Sequence, residues 1–345
     1  MAISLEAIQT IVPLKPTDQR QSYRSVQLPK ASFWGNYQRS FQMVICHKAL
    51  EGYSGWVVAG WFKESLGRAL AEEPIFAGRL RRLEKGDVDG EHLEIVANDS
   101  GIRMVEANMQ MNLDEFLDLK GETEDEAGLV FWEDIDEKNP QFSPLFFVQV
   151  TNFLCGGFSI GISCSLLVAD PLSILSFIDK WSDIHKNIIS SSITAQIPLF
   201  YLPNLGRIGN SPPIKINPCK GTKTAQSVTF EIETENFDFA VSDMSKNLVA
   251  QCLHEVEQKL GMENTISNLC ILLKDISGNV KIESCTIKEI DSQKKSTPMR
   301  KIIFTSWDCL RVGNEYFSIG SNQTHASSWI NSIPTNEGVV MINSN

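Results

Sequence analysis

The sequence lacks several of the short motifs that most readily identify an enzyme. It contains no P-loop, no dinucleotide-binding glycine fingerprint and no H-E-x-x-H metal motif. Basic charge is in deficit, with 31 lysines and arginines against 42 aspartates and glutamates, a net charge of −11. Because an acidic protein repels phosphate backbones, we expect no nucleic-acid partner. The 345 residues, 42% of them apolar, predict a folded protein of about two domains.

The eight cysteines include no C-x-x-C pair, the spacing typical of zinc and dithiol redox sites. Near Met1 no basic segment is followed by an apolar one, so the pattern of a secretory signal is missing. We therefore expect free, buried thiols in a reducing compartment. We therefore predict a cytoplasmic protein without a metal site.

One long stretch lacks charge, from Lys138 to Asp170, and is long enough to cross a bilayer. Its apolar residues alternate with serine and glycine between Phe158 and Leu166, which is the period of a half-buried strand rather than of a helix. Residues 145–150 are also strand-like, and Cys155-Gly-Gly forms a turn between the two segments. The pattern predicts a β-hairpin and no membrane span.

The remaining first half predicts a mixture of helices and strands. Residues 56–71 have helical spacing, and 92–97 and 102–107 read as two strands around a turn. The acidic stretch 122–137 is typical of a solvated loop. A second helix starts at Asp170-Pro171, an N-cap aspartate with proline at the first helical position.

The second half follows a segment rich in proline, serine and asparagine at 191–225, which we interpret as a linker. It contains an amphipathic helix from about 243 to 260 and strand-like segments near 228–232, 269–273, 280–287 and 301–305. The pattern predicts an α/β protein with domains at 1–190 and 226–345.

Several segments resemble one family, the plant BAHD acyltransferases. The resemblance rests on Glu64–Leu80, which includes Pro-Ile-Phe-Ala-Gly-Arg-Leu, and on Phe142-Ser-Pro-Leu and Cys155–Gly161 of the hairpin. Asn98–Ala107 and residues 142–161 are similar to the eceriferum-type branch, whose members assist very-long-chain fatty-acid elongation for cuticular wax. The resemblance implies a two-domain CoA-dependent acyltransferase fold, like chloramphenicol acetyltransferase, with a shortened second domain.

The family motif is His-x-x-x-Asp-Gly, in which the resemblance makes the histidine the general base and the aspartate mainly structural. The aligned residues here are Leu166 to Asp170, followed by Pro171. Leucine accepts no proton, whereas an imidazole titrates near neutral pH and suits that role. Asp170 is open to two interpretations, a remnant of the motif or an ordinary helix cap.

Other positions are candidates for a degenerate substrate channel. Cys164 and Ser165 precede the motif, and the family's second motif, Asp-Phe-Gly-Trp-Gly, aligns with Tyr316, Phe317 and Gly320 within Tyr316-Phe-Ser-Ile-Gly. A nucleophilic Cys164 would need an adjacent base, and the sequence near it offers none, so a buried thiol is favoured. Arg79 is expected either to pair with a carboxylate or to lie on the surface.

Three functional hypotheses follow. The leading one is a non-catalytic accessory that contacts a fatty-acid elongase condensing enzyme, peripheral at the endoplasmic reticulum. The alternatives are an active acyl-CoA-dependent O- or N-acyltransferase of unknown acceptor and a degraded protein of little function. No cofactor is required under these hypotheses, acyl-CoA is the expected ligand or substrate, and we expect a monomer.

Overall fold

The computed structural model describes the chain in segments separated by gaps. These are residues 3–18, 23–29, 37–49, 55–83, 91–119, 126–191, 214–215, 228–233, 242–260, 266–291, 301–306, 315–318, 322–331 and 337–343. They form a mixed α/β fold, as predicted. Gly320 and most of the predicted linker 191–225 lie outside the described residues.

The strands and helices alternate along the chain. The strands are β1 (Ile3–Ile11), β2 (Tyr23–Leu28), β3 (Ser40–His47), β4 (Arg79–Arg82), β5 (Glu91–Val96), β6 (Ile102–Met109), β7 (Phe146–Phe153), β8 (Phe158–Ser165), β9 (Ile214–Lys215), β10 (Val228–Glu233), β11 (Asn268–Lys274), β12 (Val280–Thr286), β13 (Lys301–Ser306), β14 (Gln323–Asn331) and β15 (Glu337–Asn343). The α-helices are α1 (Gly55–Glu72), α2 (Leu113–Asp118), α3 (Pro171–Ser191), α4 (Ser242–Leu260) and α5 (Ile287–Asp291).

Two large sheets organise the described residues. A seven-stranded sheet has the order β14-β3-β8-β7-β6-β1-β9, in which only β6 and β7 are parallel neighbours. A six-stranded sheet has the order β15-β11-β12-β2-β5-β4, with parallel pairs β15–β11 and β12–β2. Strands β10 and β13 form a separate antiparallel pair. The predicted hairpin is confirmed, because β7 and β8 pair antiparallel with Phe146 opposite Cys164.

The sheets exchange strands between the two halves of the sequence. β14, near the end of the chain, pairs with β3, whereas β2, β4 and β5 from the first half join β11, β12 and β15. The two predicted strands around residues 98–101 therefore exist but do not pair with each other: β5 belongs to the six-stranded sheet and β6 to the seven-stranded one. Asp99 and Gly101, both with positive φ, redirect the chain between them. One buried core contains side chains of both sheets together with α1 and α3.

The expectation of a solvated loop at 122–137 is wrong for residues 126–130, whereas the acidic residues at 133, 134, 136 and 137 are exposed and lie outside any helix or strand, as expected. Residues 126–129 form a 3₁₀ helix, and Leu129 and Val130 are buried. This segment covers the polar face of β8, so that the strand is buried on both faces rather than half-buried. Ser163 Oγ donates to the Phe131 carbonyl at 2.6 Å, and Gly161 leaves room for the Leu129 carbonyl, which would lie 1.9 Å from an added Cβ. The apolar residues within the acidic stretch outweigh its charge.

Candidate functional site at the β8–α3 turn

The turn that joins β8 to α3 holds four of the candidate residues: Cys164, Ser165, Leu166 and Asp170. β8 ends at Ser165, whose carbonyl accepts from the Val168 N–H at 3.0 Å and whose Oγ accepts from the Leu167 N–H at 3.3 Å. The Leu166 N–H donates to the Arg39 carbonyl at 3.1 Å, and the Leu166 side chain is buried in the main core. The turn is therefore held by backbone and hydroxyl hydrogen bonds, and the side chain at position 166 is apolar.

Asp170 caps helix α3. Its Oδ1 accepts from the N–H groups of Leu172 at 3.0 Å and Ser173 at 3.1 Å, which satisfies two donors of the first helical turn. Its Oδ2 accepts from Ser173 Oγ at 2.6 Å. The cap interpretation of Asp170 thus agrees with the geometry.

The Asp170 carboxylate also reaches the second sheet. Lys274 Nζ, at the end of β11, lies 2.7 Å from Asp170 Oδ2 and 2.7 Å from Ser173 Oγ. Burial alone would raise the pKa of Asp170, but the hydrogen bonds from Lys274 and Ser173 and the lysine charge lower the pKa below its usual value. The carboxylate is therefore held ionised as a link between α3 and β11.

Cys164 is fully buried next to this turn. Burial raises the pKa of its thiol well above the usual value, and the nearby Asp170 charge raises it further. Its Sγ contacts the Ser165 carbonyl at 3.6 Å. A neutral thiol in apolar surroundings is a poor nucleophile, so the geometry agrees with a buried structural cysteine.

Tyr316 and Phe317 are buried but lie elsewhere. The Phe317 N–H donates to Ser182 Oγ at 2.7 Å, and the Phe317 ring packs on Trp181 at 4.5 Å between centroids. Trp181 is eleven residues after Asp170 on α3, which corresponds to about 16 Å along the helix. The structure therefore does not bring these two residues to the β8–α3 turn. Phe317 has φ 53°, an uncommon left-handed conformation for a phenylalanine.

Two histidines of the described segments, His47 and His185, are fully buried, and they also lie far from Leu166. His47 is opposite Phe158 at the start of β8, about 26 Å of strand from residue 166. His185, on α3, stacks on Phe62 at 4.2 Å, and its Nδ1 is 3.1 Å from Ser65 Oγ. Burial lowers the pKa of His47 to about 4 and that of His185 to about 3, so both are neutral near pH 7.

Two further features were not identified from the sequence, the contacts of Lys274 and Arg24 and a G-x-S-x-G spacing. Lys274 and Arg24 contact the turn from the other sheet, and no local pattern marks contacts that span more than 100 residues. Residues 157–161 spell G-x-S-x-G, the spacing of a hydrolase nucleophile turn. Ser159, however, lies buried within the continuous strand β8 instead of on a strand–helix turn. Both expectations for Arg79, a carboxylate partner or a surface position, are wrong. Its side chain is buried and donates to the carbonyls of Gly78 and Gly101.

Two negative observations apply to the described segments. No helix there is long and apolar enough to cross a membrane. The same residues contain no group of three or more histidine, cysteine, aspartate or glutamate side chains that could hold a metal ion.

The described residues form a two-sheet α/β fold with a capped turn after β8. The comparisons with known proteins assign the chain to a family. Residues 2–270 match the model of the Transferase family, and the chain belongs to this family, the BAHD acyltransferases. A hydroxycinnamoyltransferase of Narcissus pseudonarcissus is 40% identical over 126 residues, 36% of this chain and 27% of the relative. The protein ECERIFERUM 26-like of Arabidopsis thaliana is 33% identical over 109 residues, 32% of this chain and 24% of the relative.

The matched region thus spans about a quarter of the length of these two relatives. Among solved structures, vinorine synthase aligns with 82% of this chain and 71% of its own, at 15% identity and a TM-score of 0.43.

Proposed function

We propose that this protein is a non-catalytic BAHD acyltransferase-like accessory of very-long-chain fatty-acid elongation. The observation that supports the proposal is the buried, apolar Leu166, fixed by its backbone hydrogen bond to Arg39. We align this residue with the histidine of the family motif. A leucine side chain offers no proton acceptor for an attacking hydroxyl or amine.

Neither neighbouring candidate replaces the missing base. Asp170 is occupied by the cap and by Lys274, and its lowered pKa makes it a weak proton acceptor near pH 7. Cys164 stays protonated because burial raises the pKa of its thiol. General-base catalysis at this turn is therefore disfavoured for chemical reasons, whereas a binding role needs no base.

The accessory role is supported by similarity to the ECERIFERUM 26-like protein, together with the segments at 98–107 and 142–161 that resemble this branch. Under this proposal the protein contacts a fatty-acid elongase condensing enzyme at the endoplasmic reticulum, and acyl-CoA is its natural ligand. A shortened second domain and a monomeric state remain part of the proposal.

The test is the chain length of fatty acids in yeast that expresses a plant condensing enzyme, with and without this protein. We expect longer chains when the protein is present, and the same shift with Leu166→Gln, because the proposal assigns no proton transfer to residue 166. An immunoblot and a soluble-fraction assay control for expression. Unchanged chain lengths with soluble protein present would contradict the accessory role.

An active acyl-CoA-dependent transferase is the second candidate, and the 40% identity to a hydroxycinnamoyltransferase favours it. Purified protein with acyl-CoA and a panel of hydroxylated and amine acceptors should release no CoA thiol if the first proposal holds. Turnover by the wild type would establish the transferase instead. Leu166→His, with Leu166→Gln as the matched non-basic control, tests whether only the base is missing.

A further inference from the structure

A small pocket lies on the outer side of the Asp170 cap, where α3 meets the six-stranded sheet. Its volume is about 220 Å³, and its walls include three basic residues from three elements: Arg24 of β2, Lys180 of α3 and Lys274 of β11. This volume is below the 300–1,000 Å³ of pockets for drug-sized ligands, so the pocket suits a small molecule or one group of a larger one.

The two lysines are each matched by a carboxylate. Lys180 Nζ is 2.7 Å from Glu73 Oε1, and Lys274 Nζ is 2.7 Å from Asp170 Oδ2. Arg24 is the third cation, and among the described residues no carboxylate lies within ion-pair distance of it. Within the described part of the chain, Arg24 is therefore the one basic side chain of this pocket without an ion-pair partner.

The Arg24 guanidinium has unused hydrogen-bonding capacity. Within the described part of the chain its hydrogen bond is from Nη1 to the Val168 carbonyl, at 3.2 Å. A guanidinium carries five N–H donors in a planar fork that matches two oxygens of a carboxylate or phosphate. Burial lowers the pKa of Arg24, and the attraction of Glu73 and Asp170 offsets this only in part. An anion bound next to the Arg24 guanidinium would add a favourable charge interaction and so offset the remaining cost of burying this cation.

The lining also contains two aromatic rings. Phe76 and Phe177 line the pocket with their rings stacked at 4.3 Å between centroids. Both residues are almost fully buried, with 4% and 2% of their surface exposed, so they offer only a small apolar contact to a ligand whose oxyanion binds Arg24.

We propose that this pocket binds a compact oxyanion, a carboxylate or a phosphate group, with Arg24 as the anchoring cation. The site is separate from the proposed accessory function and does not depend on it. Lys180 and Lys274 are each paired with a carboxylate, so Arg24 supplies the main attraction for an anion.

Isothermal titration calorimetry tests the proposal with benzoate and inorganic phosphate as probes and uncharged benzamide as the control. Arg24→Gln should weaken probe binding at least tenfold. Lys180→Gln, a second pocket variant, should weaken binding several-fold. Arg68→Gln is the matched control, because Arg68 is exposed on α1 and pairs with Glu64 outside the pocket.

The outcomes separate clearly. Benzoate binding alone identifies an organic carboxylate, phosphate binding alone identifies a phosphate group, and either result supports the site if Arg24→Gln abolishes it. The proposal is overturned if neither anion saturates the wild type, if benzamide binds as well as benzoate, or if Arg24→Gln binds like Arg68→Gln.

Discussion

Replacing Asp170 should destabilise the protein by more than a lost helix cap. A cap contributes about 1 kcal/mol, and removing one partner of a buried ion pair costs about 3–5 kcal/mol. The side chains of Lys274 and Asp170 are only 17% and 6% exposed. Asp170→Ala loses both interactions, so we expect a loss of about 4–6 kcal/mol in the free energy of unfolding.

The two contributions can be separated with a double-mutant cycle. Asp170→Asn keeps an oxygen to accept from the Leu172 and Ser173 N–H groups, and should cost about 3 kcal/mol. Lys274→Met should cost about 2 kcal/mol, because three donors still serve the carboxylate. Since the pair is in direct contact, the double variant should lose about 2 kcal/mol less than the sum of the single variants.

Urea unfolding at pH 7, followed by circular dichroism, measures this coupling. Glu73→Gln and Lys180→Met provide the matched control, an ion pair of the same 2.7 Å length whose side chains are 37% and 41% exposed. That pair should couple by less than 1 kcal/mol because water screens it. If Asp170 and Lys274 prove additive within about 0.5 kcal/mol, the reasoning from burial is refuted.

The sign of the pH dependence gives a second readout. The folded-state pKa of Asp170 is lowered, so its contribution to stability is present above the unfolded carboxyl pKa of about 3.9. That contribution is lost as pH falls through the lower, folded value. The difference in free energy of unfolding between the wild type and Asp170→Asn should therefore become smaller as the pH falls below about 3.9.

Two further predictions concern the core. His185 has a pKa lowered from 6.5 to about 3, so stability should fall as pH drops below 6.5, by about 3 kcal/mol at pH 4.5 from this group alone. His185→Gln, compared with the wild type by urea unfolding at pH 7 and 4.5, should lose that part of the pH dependence, and an identical dependence would contradict the burial argument. Gly161→Ala would place a Cβ 1.9 Å from the Leu129 carbonyl and should cost about 1–3 kcal/mol by thermal unfolding. Gly128→Ala, whose Cβ would meet the flexible end of Ile3 at 3.0 Å, is its control, and equal losses would count against the proposed crowding at β8.

Local patterns predicted the elements around the site well. The Asp170-Pro171 start signal and the apolar spacing toward His185 predicted α3, and the alternation in 158–166 predicted β8. These signals depend on neighbours in the sequence, through capping and through the two-residue period of a strand. The same locality explains why the hairpin was distinguished from a membrane helix.

Contacts between distant segments were not predictable in this way. Lys274 lies 104 residues after its partner Asp170, and the strand exchange that brings β2 beside β12 joins residues 26 and 280. Nor does composition reveal that 126–131 covers β8, because burial of Leu129 depends on a surface formed by other strands. Pairing over such distances is determined by the whole core.

The geometry of Asp170 also bears on how the motif should be interpreted. Its carboxylate caps α3, accepts from Ser173 and binds Lys274, and each of these interactions stabilises the fold with no base at residue 166. The presence of the aspartate is therefore no argument for catalysis. In the elongation assay, an Asp170 variant that unfolds would therefore give the same result as one that folds but has lost its function. Substitutions at Leu166 leave the cap and the ion pair in place, but a polar side chain in this buried position also costs stability. They distinguish an accessory from a transferase only when the variant is shown to be soluble and folded.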